Sequence, residues 1–284
     1  MRDTDSSIIK EQRKLRHISQ VQLGNAIGSQ AMVSRIENGQ ILPNAQTIFT
    51  LCRELELTFD EYFSNSFGTF ENITAYKCKL DFLYKTENTA EIHMLYNQIT
   101  NQSPLNLKTK HRLLMIKSTL YHNSFKIANS IDQHTLFSYF DEIVNWHTYD
   151  VYLFESIINM LPAKKIKSYF LDILEQYNVD KNTTIYPDIV NSIVIKYLET
   201  SIIQQQDNIS SFLLQKIEDD NFCFDANQQL FKLFLTGIYL NDDKKINNAY
   251  NVAEWLNDAY SPKIFNRISA HFLKKNIKKS SLQR

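Results

Sequence analysis

The stretch "SQAMVSRIENG", Ser29 to Gly39, places small polar groups at one end, spaced apolar residues in the middle and Glu-Asn-Gly at the other end. Ser29 reads as a helix N-cap, and Asn38-Gly39 as a helix end. Met32 or Val33, with Ile36, fall at helical spacing and point into a core. Gln30, Ala31, Ser34 and Arg35 then share the outward face. Small residues permit close approach to a groove. Gln can bond adenine bidentately, and Arg can do so to guanine. The spacing therefore predicts a helix with one face for a core and one for DNA.

Working outward, Ile8, Ile9, Gln12 and Leu15 predict a helix over Ser6 to Arg16. Ser19 caps a second, "QVQLGNAIG", with Val21, Leu23, Ala26 and Ile27 as its apolar positions and Gly28 as its end. Pro43 opens a fourth helix carrying Ile48, Leu51, Cys52 and Leu55, and Thr58 caps a fifth, "FDEYF". Residues 9–40 hold five basic side chains (Lys10, Arg13, Lys14, Arg16, Arg35) and two acidic ones, Glu11 and Glu37. That local excess suits an anionic partner.

These pieces together resemble the five-helix helix-turn-helix domain of Cro/C1-type repressors. The resemblance rests on Ser19-Gln20, Leu23, Ile27, the Ser34–Gly39 block, Pro43 and Asp60-Glu61. It implies that Gln30, Ala31, Ser34 and Arg35, with Ser29 at the helix start, face the major groove. It also implies that Gln20 holds a phosphate at a helix N-terminus, and that Arg13 and Glu37 form an ion pair between helices 1 and 3. Gly24 stands where such domains usually have Ala. On propensity alone it weakens its helix by roughly 0.5–1 kcal/mol.

The whole chain has 284 residues, 43% hydrophobic and 22% charged, with zero net charge. Only five glycines and five prolines occur, which suits an all-α chain better than a sandwich or a dinucleotide-binding fold. No uncharged apolar run is long enough for a membrane span, and the start has no apolar signal-peptide core. Three scattered cysteines fit a reducing cytoplasm. Phosphate-loop, dinucleotide, zinc-protease and serine-hydrolase motifs are absent, and the histidines are scattered. Neither an enzyme nor a metal or cofactor site is expected.

"SNSFGT", Ser64 to Thr69, reads as a linker between a domain over 1–63 and a second over 70–284. Helical periodicity then continues almost to the end. One stripe is Leu136/Phe137, Phe140, Ile143/Val144; another is Phe154, Ile157/Ile158, Leu161. Pro104, Pro162, Pro187 and Pro262 fall where helices begin. Antiparallel pairs of such helices predict an α-solenoid of tetratricopeptide-like repeats.

With that architecture, "YFDEIVNWHTYDVYLFESIINML" (Tyr139 to Leu161) is similar to the Rgg/GadR/MutR family of regulators, through Trp146, Tyr149-Asp150 and Leu153-Phe154. The resemblance implies a homodimeric cytoplasmic regulator. Its helix-turn-helix heads would bind a near-palindromic double-stranded DNA operator, and its repeats a short signalling peptide. A peptide site needs a concave groove with amides and apolar pockets. Asn191 and Asn227 supply amides, Glu155 could pair with a peptide amine, and Tyr152, Cys223 and Phe231 could line pockets. Two other readings share these residues: repeats that dock another protein, and a helical scaffold that does not read DNA.

Overall fold

The computed structural model describes residues 4–64, 72–102, 104–179, 187–220 and 222–282. Among these residues there are helices and no strands. The chain divides into two compact units, Met1–Asn72 and Ile73–Arg284. The stretch read as a linker lies, from residue 65 on, outside the described residues.

The first unit is built from α1 (Thr4–Leu15), α2 (Gln20–Ile27), α3 (Gln30–Glu37), α4 (Ala45–Glu54) and α5 (Phe59–Ser64). Side-chain caps set the helix starts. Ser19 Oγ accepts from the Gln22 amide while the Gln22 side chain accepts from the Ser19 N–H, which satisfies two of the helix's orphan donors. Ser29 Oγ accepts from Met32 N, and Asn44, one residue after Pro43, caps α4 through Thr47 N. Thr58 and Glu61 form the same reciprocal cap on α5. Gly28 ends α2 at φ 125°, a conformation costly for any residue with a Cβ. The core joins Ile8, Ile9, Leu23, Val33, Ile36, Leu51, Cys52, Leu55 and Tyr62. Leu15 and Val21, expected inside, are exposed, because the short helices bury only one narrow stripe each.

Gly24 has a different meaning from the one propensity gives it. A Cβ there would stand 2.4 Å from the Gln30 amide nitrogen and 2.6 Å from the Ser29 carbonyl carbon. The missing side chain lets the start of α3 press against α2, so glycine here sets the angle between the two helices.

The second unit runs α6 (Ile73–Lys85), α7 (Thr89–Thr100), α8 (Leu107–His122), α9 (Ser130–Phe140), α10 (Thr148–Ile157), a 3-10 turn (Ile158–Met160), α11 (Ala163–Val179), α12 (Pro187–Ile203), α13 (Asp207–Asp219), α14 (Ala226–Leu240), α15 (Asp243–Trp255) and α16 (Ser261–Leu282). Successive even-numbered helices pack on one another: α6 on α8, α8 on α10, α10 on α12, α12 on α14 and α14 on α16. The odd-numbered helices pack outside that row, α7 on α8, α11 on α12 and α15 on α14. This is the helix-pair layering of an α-solenoid.

The Tyr139–Leu161 segment is chiefly a packing motif. Phe140, Trp146 and Phe154 form an aromatic cluster with ring centroids 5.5–5.6 Å apart. Asp150 accepts from the His147 N–H at the start of α10 and from the Tyr139 hydroxyl. Val144 is exposed, because α9 stops at Phe140 and the chain turns away. Two glutamines hold the connections by pairing with main chain on both sides. Gln176 bonds the N–H and C=O of Trp146, and Gln204 bonds Ala163 N and Leu161 O around Pro162. Each amide there satisfies two loop groups that cannot join a helix ladder.

Candidate DNA-reading face and ligand groove

On α3, Gln30, Ala31 and Arg35 are exposed and Ser34 half-exposed, while Val33 and Ile36 are buried. Behind this face lies a buried ion pair. Arg13 Nε donates to Glu37 Oε1 at 2.5 Å and Nη2 to Oε2 at 2.9 Å, a bidentate contact between α1 and α3. Arg13 Nη1 also donates to the Ile18 carbonyl. Burial pushes the Glu37 carboxyl up, but the guanidinium and the Gln20 amide outweigh it and hold the group below the usual carboxylate range. The Arg13 charge is strengthened by the same bonds.

Gln20 is where the geometry departs most from the sequence reading. Its Nε2 donates to Glu37 Oε2 at 2.7 Å and its Oε1 accepts from Gln30 Nε2 at 3.2 Å. The side chain expected on a phosphate is here a relay from the buried pair to the first residue of α3. Ser29 spends its hydroxyl on the α3 cap.

In the second unit a groove of about 250 Å³ is lined from all six even-numbered helices. Lys77, Asp81 and Tyr84 come from α6, Ser118 and His122 from α8, and Glu155 from α10. Ser192, Lys196 and Glu199 come from α12, Asn227 and Phe231 from α14, and Ile264 from α16. At one end Glu155, its side chain 1% exposed, is held by Lys196 at 3.0 Å, Lys77 at 3.3 Å and Ser192 Oγ at 2.5 Å. Burial raises its carboxyl, but Lys196 and Lys77 outweigh that and hold it well below the usual range. At the other end His122 bridges Glu199 Oε1 (3.1 Å) and the Tyr84 hydroxyl (2.8 Å). Arg267 of α16 donates to the same hydroxyl, so side chains tie the first helix of this unit to its last.

Of the six residues chosen for a peptide, Glu155, Asn227 and Phe231 lie together in this groove. Tyr152, Asn191 and Cys223 do not line it. Tyr152 is half-buried against the core. Asn191, 3% exposed, donates to the Cys223 carbonyl at 2.7 Å and fastens α12 to the segment before α14. The Cys223 thiol is free and exposed. Glu155 is already paired by two lysines, so it does not wait for a ligand amine. Lys77, Lys196, Glu199 and His122 were missed. Only the inner row of helices brings them together, and no local spacing announces that row.

No helix among the described residues is long and apolar enough to cross a membrane, and no His/Cys/Asp/Glu group there could hold a metal ion. Residues 9–62 match the helix-turn-helix family model. No curated protein sequence matches the chain. Among solved structures, the SHP pheromone receptor Rgg2 of Streptococcus dysgalactiae is 17% identical with a TM-score of 0.68, over 95% of this chain and 99% of that one. A protein of Listeria monocytogenes EGD-e described as a transcriptional regulator is 14% identical with a TM-score of 0.72, over 96% and 98%. The PrgX/cCF10 complex is 16% identical with a TM-score of 0.63, over 96% and 92%. Residues 9–62 are a helix-turn-helix unit, and the chain has the fold of the Rgg2 and PrgX structures.

Proposed function

We propose that this chain is a sequence-specific transcriptional regulator of the Rgg type, controlled by a short peptide bound in its second unit. The observation that carries the reading is the groove lined by α6, α8, α10, α12, α14 and α16, in a chain that also carries a helix-turn-helix unit. The α6 wall from Lys77 to Tyr84 measures about 10 Å at helical rise, enough for about three residues of extended chain. Polar groups along it, the Asn227 amide among them, suit a peptide backbone, and Leu80, Ile195, Phe231 and Ile264 suit apolar side chains.

In this reading Gln30, Ala31, Ser34 and Arg35 read bases. The Arg13–Glu37–Gln20 relay fixes the angle at which they enter the groove. Two copies place their α3 helices on successive major-groove faces of a near-palindromic operator, about 34 Å apart or a multiple of it. The protein acts in the cytoplasm, where DNA and imported peptide meet. Peptide binding acts by favouring one of two poses of the paired heads, which requires a differential affinity of a few kcal/mol.

The test is a selection of bound genomic fragments at fixed salt, because phosphate contacts dominate affinity. It is run with and without a short-peptide extract of the producing cells. Enrichment of one near-palindromic site whose occupancy changes with the extract is the expected result. Enrichment indifferent to the extract refutes peptide control, and no enrichment refutes DNA reading.

A further inference from the structure

The charges at the Glu155 end of the groove are arranged around a replaceable partner. Lys77 and Lys196 converge on one buried carboxylate. Two ammonium groups carry six N–H donors, and a single carboxylate cannot satisfy them. Lys196 is spent on Glu155 Oε1 and on the Glu155 carbonyl. Lys77 is shared: it lies 3.3 Å from Glu155 Oε2, yet its hydrogen bond goes to Asp81, one turn along α6. Glu155 Oε2 accordingly accepts no hydrogen bond although it is fully buried. The triad of Lys77, Lys196 and Glu155 leaves one positive charge over, and Asp81 neutralises it. Asp81 differs from the other three in exposure. Its side chain is 44% exposed, against 14% for Lys77, 29% for Lys196 and 1% for Glu155. It can swing into water at little cost to itself, provided another anion takes over Lys77.

We infer that Asp81 is a resident counter-ion, and that a carboxylate of the bound peptide takes its place on Lys77. The inference rests on the peptide reading above and adds to it the chemistry of one subsite. The exchange keeps the subsite neutral, with two ammonium groups facing Glu155 and the incoming carboxylate. A cationic ligand group would meet two lysines and is excluded. The carboxylate can be the peptide's C-terminus or an Asp or Glu side chain.

The probe is a randomised pool of short synthetic peptides made in four forms: C-terminal acid or amide, each with or without Asp and Glu. The full-length protein is equilibrated with each pool, and retained peptide is read by mass spectrometry. The pool with no carboxylate is expected to be retained about ten-fold less than the best pool, the loss of one charge-assisted contact. The acid and side-chain arms identify which carboxylate binds. Asp81→Asn removes the competitor on a solvent-facing side chain. It should raise retention of the carboxylate pools about three- to ten-fold relative to the carboxylate-free pool, a selective gain that a merely structural role would not produce. Lys77→Met should abolish the difference between pools. Equal retention of all four pools, with no selective gain in Asp81→Asn, overturns the inference and leaves the peptide reading standing. Retention of none by the unaltered protein overturns both.

Discussion

Replacing Arg13 by Met tests what holds α3 to α1. The substitution keeps an unbranched side chain of similar reach and removes the guanidinium. Glu37, whose side chain is 1% exposed, then loses both Arg13 bonds and keeps only the one from Gln20. Removing one partner of a buried pair costs about 3–5 kcal/mol, because the remaining charge stays desolvated. A unit of this size has only about 4–11 kcal/mol of total stability, so the first unit should come close to unfolding. Both tryptophans, Trp146 and Trp255, lie in the second unit. Tryptophan fluorescence in urea therefore follows the second unit, and far-UV circular dichroism follows both. The expected result is an early circular-dichroism phase that moves to lower urea while the fluorescence transition stays. The pH dependence should also change sign. In the unaltered protein the folded Glu37 carboxyl lies below its unfolded value. Its contribution is complete above the unfolded pKa of about 4.3 and is lost as pH falls through the folded value. Without Arg13, burial dominates and raises the folded value above the unfolded one, so the first unit should gain stability as pH falls. A cost below about 1 kcal/mol, typical of an exposed pair, or an unchanged pH slope would refute the argument. Removing both charges, Arg13→Met with Glu37→Leu, should recover most of the loss.

Gly24→Ala should destabilise the first unit by about 1–3 kcal/mol through overpacking, despite the better helix propensity of alanine. Thermal melting by circular dichroism checks it, and a rise in melting temperature would contradict the close approach of α2 and α3. Arg35→Ala should relax base preference at one position of each half-site, a loss of about 1–3 kcal/mol of discrimination. An unchanged preference in the DNA selection would remove Arg35 from the reading face. Asn191→Ala removes the hydrogen bond from a buried amide to the Cys223 carbonyl and should cost the second unit about 1 kcal/mol by tryptophan fluorescence. Asn227→Ala, on an exposed turn of α14, should leave that stability unchanged and lower peptide retention. The opposite pattern would exchange their roles.

Much of the first unit is legible because its signals are local. Ser19, Ser29 and Thr58 announce caps within three residues of their partners, and Val33 and Ile36 announce the inner face of α3 by spacing alone. The relay through Gln20 is not legible, because Glu37 and Gln30 reach it from another helix. Asn191 illustrates a partial reading. A buried amide in a helix needs a reason, and the reason is a carbonyl 32 residues away. The sequence singles out Glu155 but not the lysines that hold it, since Lys77 is far from it in the chain and meets it only through α6 packing on α10. The aromatic-rich segment around Trp146 carries the family resemblance because it makes the core, and core packing is a fold signal before it is a functional one.

The distribution of the two sites along the chain has a consequence for how such proteins can change. The residues proposed to face DNA occupy a short block, Gln30 to Arg35, carried by one small unit. That block can be altered by a few neighbouring codons, or exchanged whole. The groove draws on six helices spread from Lys77 to Ile264. A recombination point anywhere inside the second unit would join walls that were never fitted to each other. The groove must therefore diverge by scattered point changes, while the first unit can be traded as a cassette.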